Sequence, residues 1–425
     1  MSEYTRRQFV RTGAAIGVAA MSPGTLAAFA RRNGDDTLRI GVIGCGGRGT
    51  GAAVNALEAD KGTRIVAMAD LFEDRLNGSL GHLSGIEQFK GRVDVPPDRR
   101  YTGFDAYKRL LLDGGVDYVI LATPPHFRPM MFEAAVDAGV HVFMEKPVAV
   151  DPPGVRTVIE AASHADAQRL CVVAGTQRRH QECYLQAMQR IRDGAIGEIV
   201  SASCYWNQGG LWVHKRKPEY SDMEWQIRNW LYFCWLSGDH IVEQHVHNLD
   251  VVNWAMGGPP VRCTGMGGRQ VRTAPEYGNI FDHFAVEYEY AGGANCLSTC
   301  RQIDGCDSRV EEILRGTKGR ARTHHGFAEI SGQTNWRYDG SNPNPYVVEH
   351  QDLIRAIRSG ERLNEARRVA ESTLTAIMGR MSAYTGKSVT WEQALNSKLD
   401  LGPSAYVFGD LPVREVPVPG RTPLI

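Results

Sequence analysis

Leu38-Arg39-Ile40-Gly41-Val42-Ile43-Gly44-Cys45-Gly46-Gly47-Arg48-Gly49-Thr50-Gly51 is the stretch that decides how this chain folds. An apolar run (Leu38, Ile40, Val42, Ile43) reads as a buried strand. Gly44 to Gly49 then satisfy G-x-G-x-x-G, and an Ala-rich helical segment, Ala52 to Ala59, follows. Strand, glycine turn and helix in that order form the context in which the motif cradles a dinucleotide. Gly44 makes the tight turn, Gly46 lets the backbone approach a pyrophosphate, and Gly49 lets the helix lie close to the strand. The anion would rest on unpaired N–H groups at the positive end of the helix dipole. Asp70 ends the next apolar run, Ile65 to Ala69, 21 residues beyond Gly49. It is the acid expected on the adenosine ribose hydroxyls, which points to NAD rather than NADP.

The chain has 425 residues, beyond the size at which one core keeps growing, so more than one domain is expected. Hydrophobic residues make up 43% and charged residues 23%, as in a soluble globular protein. Basic and acidic residues both total 48, which argues against nucleic acid or an anionic membrane as partner. The first 30 residues stand apart. Thr5-Arg6-Arg7-Gln8-Phe9-Val10-Arg11 resembles a twin-arginine export signal, with a weakly apolar stretch from Thr12 to Phe29 and Ala28-Phe29-Ala30 as a cleavage site. Removing residues 1–30 leaves 45 basic against 47 acidic residues. Export to the periplasm or beyond is expected, with an N-terminal helix docked on the body as the alternative. The nine cysteines show no C-x-x-C pair, so free thiols in the core are expected, and no metal is assigned to Cys296, Cys300 and Cys306.

Val116 to Ala122 is a continuous apolar run, as in a parallel strand covered on both faces, and it delivers Thr123-Pro124-Pro125-His126. Helix Pro129 to Ala138 ends at Gly139, and Val140 to Met144 delivers Glu145-Lys146-Pro147. Ligands of such sheets gather beyond the carboxyl ends of strands. Thr123, Pro124, His126, Glu145 and Lys146 therefore join Gly44, Gly46, Gly47, Arg48, Gly49 and Asp70 as candidate cofactor-binding residues. The segments GCGGRG, ATPPH and AGVHVFMEKP together resemble the glucose-fructose oxidoreductase, inositol dehydrogenase and MocA-type family, over roughly residues 38–385. The resemblance implies an α/β chain. A Rossmann doubly wound parallel sheet comes first, and a second α/β domain follows on an open, mostly antiparallel sheet that holds the substrate. It also implies that Lys146 lies at the nicotinamide, that Gln177, Arg179 and Tyr184 lie near nicotinamide and substrate, and that the chain forms a homo-oligomer, a dimer or tetramer. The expected division is signal 1–30, nucleotide domain 31–175, substrate domain 176–385 and a proline-punctuated arm 386–425.

From Glu198 onward, short alternating runs suit a sheet with one exposed face. Trp206, Trp212, Trp225, Trp230 and Trp235 crowd 30 residues. Core packing and a carbohydrate platform both explain such rings, and the sequence leaves both open. Gly238 to Asp250 is the second chemical constellation, containing His240, Glu243, His245, His247 and Asp250. On one continuous helix Glu243, His247 and Asp250 fall at i, i+4 and i+7 and share a face, while His245 points away from His247, so no metal is assigned. The family carries D-x-G-x-H-x-x-D here; Glu243, His247 and Asp250 match its polar positions and His245 replaces its glycine. Trp230 and His240 join Arg179 and Tyr184 as candidate substrate-binding residues.

Lys146, His247, Glu243 and Asp250 are accordingly the candidate catalytic residues. The expected activity is NAD-dependent hydride transfer on a sugar or cyclitol, with His247 taking the hydroxyl proton, Lys146 polarising the oxygen, and Glu243 or Asp250 orienting the imidazole. An exported chain has no dinucleotide pool to exchange with, so tightly held NAD restored in place is expected. An NAD-dependent glycoside hydrolase and a nucleotide-bound sugar-binding protein without turnover are the alternatives.

Overall fold

The computed structural model describes residues 36–425; the expected export signal at 1–30 lies outside them. The first sheet comprises β1 (Leu38–Ile43), β2 (Thr63–Asp70), β3 (Arg100–Thr102), β4 (Tyr118–Leu121), β5 (His141–Met144) and β6 (Val172–Ala174). All are parallel, in the order β3-β2-β1-β4-β5-β6. Strand order reverses between β1 and β4, so Gly44 and Thr123 flank the crevice at that switch point. The longer helices of this half are α1 (Gly47–Ala59), α2 (Glu73–Ser84), α3 (Arg128–Asp137) and α4 (Pro152–Ala167). β4 is buried at every position because helices cover both faces, which is why its sequence does not alternate.

The second half opens with α5 (Glu182–Arg192) and builds a nine-stranded sheet. Its strands are β7 (Ile199–Gln208), β8 (Arg262–Gly268), β9 (His283–Glu289), β10 (Asn295–Gln302), β11 (Arg309–Gly316), β12 (Gly319–His324), β13 (Phe327–Gly332), β14 (Trp336–Arg337) and β15 (Val389–Thr390). Their order is β14-β13-β12-β11-β7-β10-β9-β8-β15, antiparallel throughout except for β10 on β7. One face is covered by α6 (Val246–Met256) and α8 (Ala366–Thr385). On the other, Thr264, Met266, Glu287 and Leu297 are exposed, so β8 to β10 alternate as a half-covered sheet does. The strands β12 to β14 have no sequence forecast, since Ile330 is the one large apolar side chain among their buried residues, the others being Ala321, Thr323 and Ala328.

Three segments sit where chain order does not place them. Helix α7 (Pro345–Ser359), within the expected second domain, packs on α1, and its Leu353, Ile354 and Ala356 complete the core of the first sheet. Residues 389–390, within the expected arm, form β15 on the edge of the second sheet. The helix expected across Glu243 to Asp250 is broken: one turn spans His240–Glu243, and α6 begins at Val246. Among the described residues no helix is long and apolar enough to cross a membrane. The nine cysteines are unpaired, all but Cys306 buried.

Candidate active site

The glycine turn is shaped by what surrounds each glycine. Gly44 has φ +97°, and a Cβ there would lie 2.6 Å from the Thr123 nitrogen. At Gly49 a Cβ would lie 1.8 Å from the Gly44 carbonyl oxygen, so only glycine lets α1 sit this close to β1. Gly49 therefore acts behind the cleft wall. Gly46 and Gly47 have nothing within 4 Å of their missing Cβ atoms and face the open cleft. A bare backbone at the start of α1 fits a pyrophosphate.

Asp70 stands at the end of β2 on the same cleft. Its Oδ2 accepts from the Cys45 N–H at 2.6 Å and its Oδ1 from the Phe72 N–H at 2.9 Å. Burial pushes its pKa up, against the pull of those two N–H groups. The carboxylate thus ties the glycine turn to the β2 end while keeping lone pairs for a ribose. Leu71, Phe72, Arg75, Phe104 and Tyr107 line this end.

The cleft runs on to the ends of β4 and β5. Glu145 pairs with Arg48 of the glycine turn at 2.7 Å, and the Arg48 guanidinium lies 5.1 Å from the centre of the Tyr346 ring, carried by α7. A Cβ on Gly175 would meet Glu145 Oε2 at 2.5 Å, so that glycine makes room for the carboxylate. Arg128 donates to the carbonyls of Thr123 and Pro147 and so pins the turns after β4 and β5 together. Burial pulls its pKa down to about 10, with Glu145 and Glu243 opposing.

Lys146 Nζ donates to the Glu243 carbonyl at 2.7 Å and approaches Glu243 Oε1 at 3.4 Å. The helix break makes this possible. In a continuous helix the Glu243 carbonyl would accept from the His247 N–H; here that N–H turns to the Gln244 carbonyl, at 3.4 Å. His245, fully buried, reaches the sheet instead, with Nε2 2.7 Å from Ser298 Oγ. The preceding turn is strained: Asp239 has φ +72° and ψ 162°, a region nearly confined to glycine. Hydrogen bonds to its carboxylate from the His240 N–H, the Phe281 N–H and the Tyr384 hydroxyl hold it there.

His247 lines the cleft beside Lys146, Glu243 and Gln244, its ring stacked on Trp206 at 5.6 Å between centroids. Burial holds its pKa well below 6.5, reinforced by the charges of Lys146, Arg178 and Arg48. The imidazole is therefore neutral near pH 7 and able to accept a proton.

Six expected site residues lie off this wall. Asp250 is turned from His247 by its bidentate pair with Arg179, at 2.7 and 2.9 Å, and by the Ser372 hydroxyl at 2.8 Å; it cannot orient the imidazole, and Arg179 is spent on it rather than on substrate. Tyr184 is buried and donates to Glu312, which also accepts from Arg178, Asn248 and Thr323. His240 pairs with Asp239 in the core and packs on Phe284. His126 is buried against Trp235, with Nε2 2.7 Å from the Tyr406 hydroxyl. Gln177 is buried and does not reach the cleft. All but Gln177, whose buried Oε1 has no hydrogen-bond partner, belong to polar core contacts that motif spacing resembles but does not specify. Neither Glu243 nor Asp250 hydrogen-bonds the His247 ring.

The tryptophans divide. Trp225 and Trp235 are core; Trp212 and Trp230 line the cleft with their ring centroids 6.0 Å apart. His214 and Tyr346 are cleft residues with no motif around them in the sequence, and Arg128 and Gln244 are cleft residues beside or within the motif stretches that no motif position singles out. Among the described residues no group of three His, Cys, Asp or Glu side chains is placed to hold a metal ion.

Residues 38–176 match the family model described as oxidoreductase family, NAD-binding Rossmann fold, and residues 184–322 match the GFO/IDH/MocA C-terminal domain. The chain is 25% identical over 343 residues to inositol 2-dehydrogenase from Rubrobacter xylanophilus, covering 78% of this chain and 86% of that one. It is 26% identical over 196 residues to a glycosyl hydrolase family 109 protein from Shewanella pealeana, covering 46% of this chain and 39% of that one. Among solved structures it shares the fold of aldose-aldose oxidoreductase from Caulobacter crescentus, with a TM-score of 0.66 and 17% identity over 83% of this chain and 99% of that one.

Proposed function

The chain belongs to the GFO/IDH/MocA oxidoreductase family, and from that premise we propose that it acts on a hydroxyl-bearing carbon of a sugar or cyclitol with NAD as its resident cofactor. The observation that carries this reading is the convergence of Lys146 and neutral His247 on one wall of the cleft that begins at the glycine turn. Gly46, Gly47 and Asp70 would hold the nucleotide, and Glu145, Arg48 and Arg128 would shape its nicotinamide end. Bound NAD supplies the hydride acceptor. His247 removes the hydroxyl proton, a role worth on the order of 10² to 10⁴ in rate. Lys146, held by the Glu243 carbonyl, presents its charge to the same oxygen and favours the alkoxide. Glu243 acts by placing the lysine. Trp212 and Trp230 offer apolar faces to the C–H side of a ring. Asp70 would repel a 2′-phosphate, which favours NAD over NADP.

A second reading is net glycoside hydrolysis without net redox change. Similarity to a glycosyl hydrolase family 109 protein supports it, as does the resident cofactor expected of an exported chain. The two separate in one experiment: the purified protein is offered free sugars, cyclitols and aryl glycosides with stoichiometric NAD, with product analysis and absorbance near 340 nm. A recycled cofactor gives product over many turnovers without NADH build-up. Steady NADH formation with freely exchanging cofactor would refute residence, and absence of turnover on every class would refute catalysis. Export by the twin-arginine route belongs to the same proposal; changing Arg6 and Arg7 to Lys should leave the protein in the cytoplasm. So does a homo-oligomer meeting through the open sheet face around Met266 and Leu297, which light scattering tests.

A further inference from the structure

Residues 406–411, beyond the last helix, run along the outside of the cleft wall at its adenosine end. Tyr406 meets buried His126 through its hydroxyl at 2.7 Å and packs on Phe127 with centroids 5.7 Å apart. Phe408 lies against Phe72 at 6.1 Å, nearly parallel to it, and against Phe104 at 5.2 Å. Phe72, Phe104 and Phe127 all line the cleft. The same segment is tied to the second domain: Gly409 accepts from the Met223 N–H at 3.1 Å, and the Leu411 carbonyl accepts from Gln226 Nε2 at 2.6 Å. A second tie lies beside it. Arg228, from the helix that holds Met223 and Gln226, pairs with both oxygens of Asp74 on α2 at 3.0 Å and lies 3.8 Å over the Phe72 ring.

We propose that the 406–411 segment is part of the nucleotide site: an outer wall that buttresses Phe72 and Phe104 and joins the two domains, so that the adenosine end cannot open without releasing it. The inference rests on the nucleotide reading of the cleft and extends it from binding to retention. The physical argument is one of linkage. Opening the cleft at this end means displacing Phe72 and Phe104 or separating Asp74 from Arg228. Phe408 packs on both rings, and Phe72 touches both Phe408 and the Arg228 guanidinium, so arm and ion pair resist the same motion. This is a device for slow exchange rather than for tight contact, since no residue of the arm itself lines the cleft. It answers the need of a protein whose cofactor must survive many cycles without replacement.

The test follows release of NADH by its fluorescence after dilution of the loaded full-length protein into excess NAD. Phe408→Ala removes a half-exposed ring, so the fold should survive; Asp74→Asn weakens the ion pair; a chain ending after Gly402 removes the segment. Losing the aromatic contact should speed release by roughly tenfold, and the shortened chain should be faster still. The thermal midpoint without nucleotide, measured in parallel, separates loss of retention from loss of fold. Release at the parental rate from Phe408→Ala and from a shortened chain that still melts like the parent would overturn the proposal and leave the dehydrogenase reading intact. Failure of the parent chain to bind NADH at all would overturn both.

Discussion

Two alanine substitutions three residues apart in the glycine turn should have opposite consequences. Gly46 has φ −72° and ψ −174°, a backbone that alanine adopts, and no protein atom lies within 4 Å of the position its Cβ would take. Alanine lowers the entropy of the unfolded chain, which favours folding by ~0.4–1 kcal/mol, and it is a poorer residue at a helix start by a similar amount. Gly46→Ala should therefore unfold within about 1 kcal/mol of the parent. The new methyl nevertheless projects into the space assigned to the pyrophosphate. Losing one N–H to phosphate hydrogen bond costs about 1.5–3 kcal/mol, a weakening of NAD affinity by roughly 10- to 150-fold. At Gly49 the added Cβ would stand 1.8 Å from the Gly44 oxygen, a backbone atom that cannot swing aside. Helix α1, which buries Ala52, Ala53, Ala56 and Leu57, would have to lift from β1. Overpacking of this kind costs about 1–3 kcal/mol or more, so Gly49→Ala should lose stability first and binding as a consequence. Urea denaturation without nucleotide and calorimetric titration with NAD separate the two. An NAD affinity within threefold of the parent for Gly46→Ala would refute the path assigned to the pyrophosphate.

Other outcomes follow from the same geometry. Lys146→Ala and His247→Ala should each lower turnover by about 10² or more with nucleotide affinity nearly unchanged, measured by steady-state kinetics beside NAD titration; parental turnover in the His247 variant would remove the base. Because the pKa of His247 is held below 6.5, chiefly by burial and then by Lys146, the base is lost only as pH falls below that value; an acid limb of kcat/KM centred at or above pH 6.5 would contradict the assignment. Arg179→Ala leaves Asp250 buried and unpaired and should cost ~3–5 kcal/mol in urea denaturation, whereas a variant of parental stability with a raised KM would restore Arg179 to the substrate site. His180 works in the folded state as a cation: burial opposes its charge, but Glu365 and Asp352 raise its pKa to about 10. Its contribution is complete below pH 6.5 and is lost as pH rises through about 10, so the stability gap between the parent and His180→Gln should narrow over that interval.

The nucleotide half was legible because its determinants are contiguous. A turn needing a bare backbone, an acid at the next strand end and lysine after β5 are each set by neighbours a few residues away, and strands buried on both faces write themselves as unbroken apolar runs. Lys146 and His247 are candidates through the resemblance of the Glu145-Lys146-Pro147 and Gly238–Asp250 stretches to the family, and the structure puts both on the cleft. How they meet could not be read from the sequence. The helix that was to align Glu243, His247 and Asp250 is interrupted because the His245 ring anchors in the sheet, and the carbonyl released by that interruption receives Lys146. Asp250 leaves the site because Arg179, 71 residues earlier, competes for its carboxylate. Tyr346 reaches the cleft because α7 returns to the first sheet, and the arm meets His126 across 280 residues. Local pattern decides which backbone conformations and buried faces are available. Which polar groups find each other depends on desolvation and partnership between segments distant in sequence, and only the packed structure holds those together.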